Sequence, residues 1–145
     1  MTFFSSIRSV FSKYATFSGR AGRPEFWWWT LFEYVTRGLL GAIYSVIMFD
    51  MIAPIIASGA TDDAAFNQIM AAVFNPAYFV LLAWSLAILL PSLAVAVRRL
   101  HDTGRSGWFV LLTFLPFVGT ILMIVFMVAP SDPKSNAWGA LPQSK

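Results

Sequence analysis

The sequence predicts an all-α membrane protein with three transmembrane helices, an N-terminal interfacial amphipathic helix and a short periplasmic-side helix. Composition is the first reason. Of the 145 residues, 58% are hydrophobic and only 12% are charged, whereas soluble domains usually carry about 25% charged residues. The mean hydropathy is +0.69. A chain this short cannot bury so much apolar surface in a core of its own, so lipid must cover much of it.

Three long apolar segments are the second reason, and they cover residues 27–48, 76–97 and 108–128. As a helix rising about 1.5 Å per residue, the first would be roughly 33 Å long, which matches a hydrocarbon core of about 30 Å. Aromatic residues that suit the membrane–water interface stand at the segment ends: Trp27, Trp28, Trp29, Tyr78 and Trp108. Pro91 and Pro116 lie inside the second and third segments, and we expect each to kink its helix.

The N-terminal segment, residues 1–25, is expected to lie along the membrane surface. Apolar residues recur there at helical spacing: Phe3, Phe4, Ile7, Val10, Phe11 and Tyr14. Polar and basic residues fall mostly on the other side, a pattern typical of a helix in the membrane interface. A frayed tail is the alternative.

The segment between the first two spans, residues 49–75, is predicted to contain one short surface helix. Thr61 could cap this helix, and its apolar face would carry Phe66, Ile69, Met70 and Val73. An additional span over residues 52–60 is rejected, because that stretch is too short and contains Pro54 and Gly59.

The distribution of Lys and Arg predicts the orientation, since basic residues concentrate on the cytoplasmic side. Four precede the first span and three lie in residues 98–107, whereas residues 49–75 contain none. Residues 129–145 contain two, Lys134 and Lys145. We therefore expect the whole chain to form a single membrane domain. Its N-terminus and residues 98–107 are expected to be cytoplasmic, and residues 49–75 and 129–145 periplasmic.

Two polar stretches on the cytoplasmic side hold the candidate functional residues. In the first, residues 17–28, Arg20 and Arg23 precede Glu25 at the start of the first span. The arginines can anchor the chain to anionic lipid phosphates, and Glu25 suits the positive end of a helix dipole. The stretch is therefore interpreted as an orientation anchor and turn, with a ligand or partner site as the alternative.

The second polar stretch, residues 98–108, links the second and third spans and is richer in polar side chains than a tight turn requires. Its candidate residues are Arg98, Arg99, His101, Asp102, Arg105 and Ser106. One interpretation is an anion site, or general acid–base chemistry at His101. The other is a hydrogen-bonded turn with a lipid-facing basic rim. Adjacent His and Asp side chains on a helix point about 100° apart, so the pair is a weak catalytic signal.

Composition argues against a metal or another cofactor. The chain has no Cys, which excludes disulfides, thiolate catalysis and zinc–thiolate sites. His101 is the only histidine, and only Asp102 and Glu25 could add metal ligands near it. We therefore expect neither a metal nor a cofactor.

Ion pairs are predicted at two places. Glu25 is expected to lie within about 6 Å of one arginine of the second polar stretch, Arg98, Arg99 or Arg105, because both stretches lie on one membrane face. Inside the first span, Glu33 and Arg37 are four residues apart with the acid first, which is the favourable order. A self-satisfied pair is preferred over a proton or solute pathway, because the other two spans contain no ionisable residue.

Four motifs resemble those of the YhaH-like family of small bacterial inner-membrane proteins, known as domain of unknown function 805. Residues 17–28 (FSGRAGRPEFWW) look like its opening signature, and residues 98–108 (RRLHDTGRSGW) are similar to its second signature. LPFVG at 115–119 and NAWG at 136–139 resemble its third-span and tail motifs. Ala137 replaces the tail's usual basic residue, which weakens any claim that the tail binds an anion. The resemblance covers about residues 10–142 and implies a multi-pass protein of the bacterial inner (plasma) membrane, but no reaction.

Three hypotheses for function follow. The first is a non-enzymatic module that binds partner proteins or anionic phospholipid headgroups at its cytoplasmic face. The second is an oligomeric transporter or channel subunit, and the third is a lipid-headgroup enzyme using His101, Asp102 and Ser106. Expected partners are the lipid bilayer, its headgroups, and a membrane protein or a second copy of the chain. Nucleic-acid binding is not expected, because the basic residues are needed at the membrane and the sequence shows no nucleic-acid-binding fold.

Overall fold

The structure is a computed structural model that describes residues 1–142, and within them every regular element is a helix. The elements are α1 (Phe3–Ser12), α2 (Arg23–Ser58), α3 (Asp63–Val73), α4 (Pro76–Asp102), a 3₁₀ helix (Gly107–Phe114) and α5 (Val118–Val128). The all-α prediction is confirmed. Lys145, counted above among the basic residues of the tail, lies outside the described residues.

Polar side chains begin the shorter helices. Thr2 caps α1, where its side chain and that of Ser5 form a reciprocal capping box. The short helix predicted between the spans is confirmed as α3, but Asp62 rather than Thr61 caps it, accepting a hydrogen bond from the Ala65 amide at 2.8 Å. At the start of α4, Asn75 Oδ1 accepts from the Ala77 amide at 2.8 Å.

Two helices, α2 and α4, are long and apolar enough to cross a membrane. α2 has 36 residues, about 54 Å at 1.5 Å per residue, so it extends beyond the predicted span of residues 27–48. The sequence prediction treated Pro54 as an interruption, yet the helix passes through it and ends only where Gly59 adopts a φ of +65°. α4 begins at Pro76 as expected, but it continues through residues 98–102, which were predicted to be loop.

The prediction of one continuous third helix over residues 108–128 is wrong. Those residues form the 3₁₀ helix and α5, separated by a break at residues 115–117. Pro116 has no amide hydrogen to donate, and Phe117 adopts a left-handed φ of +61°. A Cβ atom at Gly119 would collide with the Leu112 carbonyl oxygen, so the absence of a side chain there lets the two arms pack together. The break is therefore a chain reversal, not the kink expected from Pro116.

The reversal brings both ends of this hairpin to the last turns of α4. At one end, a Cβ atom at Gly107 would lie only 2.7 Å from Val97 Cγ1. At the other, the Asp132 amide donates to the Asp102 carbonyl at 2.8 Å. The segment after residue 129 and residues 98–107, which the sequence prediction assigns to opposite faces of the membrane, are therefore in direct contact.

The chain divides into two compact units, and the first holds residues 1–32 and residues from 88 onward. Its hydrophobic core joins Leu100 of α4 to Met123 and Met127 of α5. α1 is confirmed as a helix, and Phe11 packs edge-on against Trp29 of α2 with ring centroids 5.1 Å apart. Its location in the membrane interface stays a prediction.

The second unit, residues 33–87, contains the rest of α2, α3 and the start of α4. The Tyr44 hydroxyl donates to the Val73 carbonyl at 3.1 Å, which ties α2 to the end of α3. Glu33 and Arg37 form the predicted ion pair, with Arg37 Nη2 3.0 Å from Glu33 Oε1. Both side chains are partly accessible.

Candidate functional site

Most of the polar residues singled out in the sequence are buried together in the first unit. Those with less than a tenth of their surface accessible are Arg20, Glu25, Arg98, Arg99, His101 and Asp102. They lie where three parts of the chain meet: the lead into α2, the last turns of α4, and the segment that follows α5. Burial of this many charges requires close pairing, since an unpaired charge in a dry interior is strongly destabilising.

Asp102 is the centre of the larger ion-pair network. Arg20 Nε donates to its Oδ1 at 2.9 Å, and Arg99 donates to its Oδ2. The Ser131 hydroxyl also donates to Oδ2, at 2.5 Å. One carboxylate thus compensates two guanidinium groups whose side chains are no more than 1% accessible.

The same two arginines use their remaining N–H groups to hold the segment after α5. Arg20 Nη2 donates to the Asp132 carbonyl at 2.6 Å and its Nη1 to the Lys134 carbonyl at 2.8 Å. Arg99 donates to the carbonyls of Met127 and Ala129 at the end of α5. A guanidinium group has five donors and suits this task, and its positive charge complements the negative end of the α5 dipole. Both arginines therefore bind the polypeptide backbone at the end of α5 and in the segment that follows it.

A second ion pair links the start of α2 to α4 and confirms the predicted pairing of Glu25. Arg98 Nη1 donates to Glu25 Oε1 at 2.9 Å. The Ser9 hydroxyl of α1 donates to the same oxygen at 3.0 Å, and Lys13 Nζ lies 3.8 Å from it. Nε and Nη2 of Arg98 are buried without a hydrogen-bond partner among the described residues. Glu25 is therefore the only carboxylate that compensates the Arg98 charge within this part of the chain.

His101 is held in place by neighbours other than Asp102. Its Nδ1 lies 3.2 Å from the Gly19 carbonyl oxygen, and because a carbonyl can only accept, Nδ1 carries the hydrogen. The ring stacks on Trp138 with centroids 4.5 Å apart and planes 9° from parallel. The Asp102 carboxylate accepts from Arg20, Arg99 and Ser131, and the hydrogen bonds found in residues 1–142 include none between it and the imidazole.

An open cavity of about 530 Å³ lies beside the imidazole. Apolar and aromatic side chains form most of its wall, including Phe17, Val97, Trp108 and Trp138, while His101 and Ser106 supply polar groups. Ser106 also accepts a long hydrogen bond from the Trp108 amide, at 3.4 Å, at the start of the 3₁₀ helix. The lining would favour an apolar or amphipathic molecule over a small charged one.

The other candidate residues are more accessible. Arg23 is exposed at the first position of α2. The Arg105 guanidinium carbon lies 4.3 Å from the centre of the Phe126 ring, a cation–π contact. In residues 1–142, no group of three or more His, Asp or Glu residues could hold a metal ion.

Comparison with known proteins identifies the family. Residues 14–140 match the family described as "Protein of unknown function (DUF805)". The chain belongs to the DUF805 family. It is 36% identical to the inner membrane protein YhaI of Escherichia coli K12 over 135 residues, which is 93% of this chain and 92% of that protein. It is 29% identical to the inner membrane protein YhaH of the same strain over 134 residues, 92% of this chain and 93% of YhaH.

These similarities assign this DUF805 chain to the bacterial inner membrane, in agreement with the two apolar helices that could span it. The identification confirms the family and the location inferred from the sequence motifs. No solved structure gives a significant match to the chain.

Sequence reasoning missed the residues of the DUF805 chain that follow α5 and complete the cluster. Ser131 binds Asp102, the Asn136 side chain donates to the His101 carbonyl at 2.9 Å, and Trp138 covers the imidazole. The signal was present in the resemblance of residues 136–139 to the tail motif of the family. It was not used, because the three-span topology placed that motif on the opposite side of the membrane.

Proposed function

We propose that this DUF805 protein is a non-enzymatic inner-membrane module whose cytoplasmic face binds anionic phospholipid headgroups. The observation that carries the proposal is the contrast between two groups of three among its ten basic residues, called here the buried class and the exposed class. Arg20, Arg98 and Arg99 are buried and paired inside the protein. Arg8, Arg23 and Lys134 are exposed around the same cluster.

The buried class cannot meet a headgroup without breaking the fold. Each of these guanidinium groups is paired with Glu25 or Asp102. An incoming phosphate would have to displace a carboxylate already bound in a dry site. We therefore propose that headgroups bind the exposed class and not the arginines of the second polar stretch, where the sequence suggested an anion site.

The exposed class is positioned by the buried one. Arg8 precedes Ser9, which binds Glu25, and Arg23 stands near the start of α2, two residues before Glu25. The Lys134 backbone carbonyl is held by Arg20, which fixes the base of that side chain. A basic residue near an anionic membrane surface contributes about 1 kcal/mol, or roughly a five-fold preference for anionic over zwitterionic lipid.

The test uses the protein's own tryptophans, of which there are six. In vesicles that mix brominated phosphatidylglycerol with phosphatidylcholine, the quenching of tryptophan fluorescence reports which lipid lies beside the protein. The combined variant Arg8→Gln, Arg23→Gln and Lys134→Gln should lose most of the preference for the anionic lipid. Arg37→Gln is the control, because it removes a positive charge that pairs with Glu33 inside the predicted first span, and it should keep the preference.

An unchanged preference in the triple variant would refute headgroup binding by these residues. Loss of the preference in high salt for the unmodified protein would support it, since exposed charges are screened above about 0.1 M ionic strength. A partner that remains bound to the triple variant in mild detergent would instead favour the protein-binding form of the module.

The enzyme alternative receives no support from the geometry of its proposed residues. His101 lacks an Asp102 contact, and Ser106 accepts from a backbone amide at the start of the 3₁₀ helix. His101→Ala separates the two functions: an enzyme would lose turnover, while headgroup preference should persist. The transporter alternative is tested by flux into the same vesicles, where a headgroup-binding module should produce none.

A further inference from the structure

We propose that residues 107–128 form a re-entrant hairpin, which enters one leaflet of the membrane and returns to the same face without crossing. In this arrangement α2 and α4 alone span the bilayer. The lipid acyl chains of that single leaflet cover the apolar surface of the hairpin. The inference is independent of which headgroups the exposed basic residues prefer.

The first argument is the position of the two ends of the hairpin. The 3₁₀ helix starts at Gly107, packed against Val97 and His101 of α4. α5 ends where Arg99 of α4 binds the Ala129 carbonyl. Both ends therefore adjoin the same few residues at the end of one helix, which a segment that crosses the membrane once cannot do.

The second argument is the length of the arms. The 3₁₀ helix has 8 residues, about 16 Å at 2.0 Å per residue. α5 has 11 residues, about 16 Å at 1.5 Å per residue. Each arm is close to half of a hydrocarbon core of about 30 Å, so each reaches the middle of the bilayer and no further.

The third argument is the chemistry of the hairpin surface. Residues 107–130 contain no charged side chain. Three aromatic side chains of the hairpin are about equally exposed: Phe114 (79%) and Phe117 (83%) beside the reversal, and Trp108 (78%) at the start of the first arm. Exposed aromatic side chains at the deepest point of the hairpin are stable in acyl chains and unfavourable in water.

The backbone at the reversal is compatible with this location, since a polar backbone group without a partner is costly in lipid. The Leu115 amide donates to the Leu112 carbonyl at 2.9 Å, and the Val118 amide donates to the Pro116 carbonyl at 2.8 Å. Position 116 has no amide hydrogen to satisfy. The Leu115 and Val118 amides thus have partners inside the turn, as a location in lipid requires of each backbone donor.

The proposal also simplifies the charge distribution. With two crossings, Lys134 joins the other basic residues of the first unit on one face. The segment that joins the two spans, residues 59–75, contains no Lys or Arg and carries Asp62 and Asp63. The asymmetry is then stronger than in the three-span arrangement, as the positive-inside rule favours.

Cysteine labelling tests the proposal directly, because the chain has no native Cys. Single variants Ser106→Cys, Ser135→Cys and Thr61→Cys are expressed in cells and treated with a membrane-impermeant maleimide. Labelling is measured in right-side-out spheroplasts and in inside-out vesicles, and labelling in SDS gives the total for each variant. We expect Ser106→Cys and Ser135→Cys to react in one vesicle orientation and Thr61→Cys in the other. Reaction of Ser135→Cys together with Thr61→Cys would overturn the hairpin.

A second measurement tests whether the hairpin enters the membrane at all. Phe117→Cys carries a bimane fluorophore, and Ser135→Cys carries the same fluorophore as the control. Lipids with spin labels along the acyl chain should quench position 117 most strongly near the bilayer centre, and position 135 only at headgroup depth. Equal quenching of both positions at headgroup depth would overturn the proposal that the hairpin enters the leaflet, even if the labelling result holds.

Discussion

Neutralising Asp102 should release the segment that follows α5. In Asp102→Asn the side chain keeps its size, but the guanidinium groups of Arg20 and Arg99 lose their shared carboxylate. Both guanidinium groups are buried. The NH₂ group of Asn would also place a hydrogen-bond donor opposite the N–H donors of an arginine, where no hydrogen bond can form. Breaking a buried ion pair by removing one partner costs about 3–5 kcal/mol. The folded-to-unfolded ratio should therefore fall by roughly 100- to 4,000-fold.

The assay combines global and local measurements on the purified protein in detergent. Circular dichroism during SDS titration follows unfolding, and limited trypsin digestion follows exposure of the bond after Lys134. Asp102→Asn should unfold at lower SDS and be cut faster at Lys134. Asp62→Asn is the matched control, because Asn caps a helix about as well as Asp and the α3 cap should survive.

A specific rescue distinguishes charge imbalance from a general packing defect. Adding Arg99→Met to Asp102→Asn removes one of the two uncompensated cations, and we expect part of the lost stability to return. Unfolding and cleavage identical to those of the unmodified protein in Asp102→Asn would refute the reasoning. Arg99→Met also removes the hydrogen bonds to the Met127 and Ala129 carbonyls, so the double variant is compared with Arg99→Met alone. Losses of stability that simply add in the double variant would refute the charge explanation.

Two further predictions concern the hairpin and the second ion pair. Gly119→Ala places a methyl group against the Leu112 carbonyl and should destabilise the protein by about 1–3 kcal/mol, measured by SDS titration. Gly38→Ala is the control, because a methyl group there meets nothing within 4 Å, and it should not destabilise the protein. Equal effects of the two substitutions would show that the arms separate freely. Glu25→Gln leaves Arg98 buried without a counter-charge and should lower the free energy of unfolding by about 3–5 kcal/mol. A decrease below about 1 kcal/mol, which is typical of an exposed ion pair, would show that water reaches this site.

Local rules were sufficient for the long helices and for one long-range contact. Apolar length predicted α2 and α4, and the predicted start of the second segment, residue 76, is where α4 begins. The pairing of Glu25 with one of three arginines followed from placing two polar stretches on one face, and the structure shows that the partner is Arg98. Each of these inferences depends on composition or on signals within a few residues.

The hairpin could not be inferred in this way, because average hydropathy is the same for one full crossing and for two half crossings. Pro116 indicated only a bend. The reversal depends on the close approach of Gly119 to the Leu112 carbonyl. It also depends on hydrogen bonds from Arg20 and Arg99 to carbonyls at the end of α5 and in the segment after it. Counting basic residues by segment also assumed that each arginine faces lipid or water, whereas these arginines face backbone and Asp102.

The network around Asp102 also has a consequence for the order of folding. Arg20 is 82 residues from Asp102 and 114 residues from Lys134, so the network joins three segments that are synthesised far apart. Contacts of such separation form after local helices, because long loops must close first. The network is therefore complete only when the lead into α2, the end of α4 and the segment after α5 have all docked. Until then Asp102 can pair only with Arg99, three residues away on the same helix, and Arg20 lacks its native partners. An unfinished first unit therefore carries an unpaired cation at Arg20 that the finished unit does not.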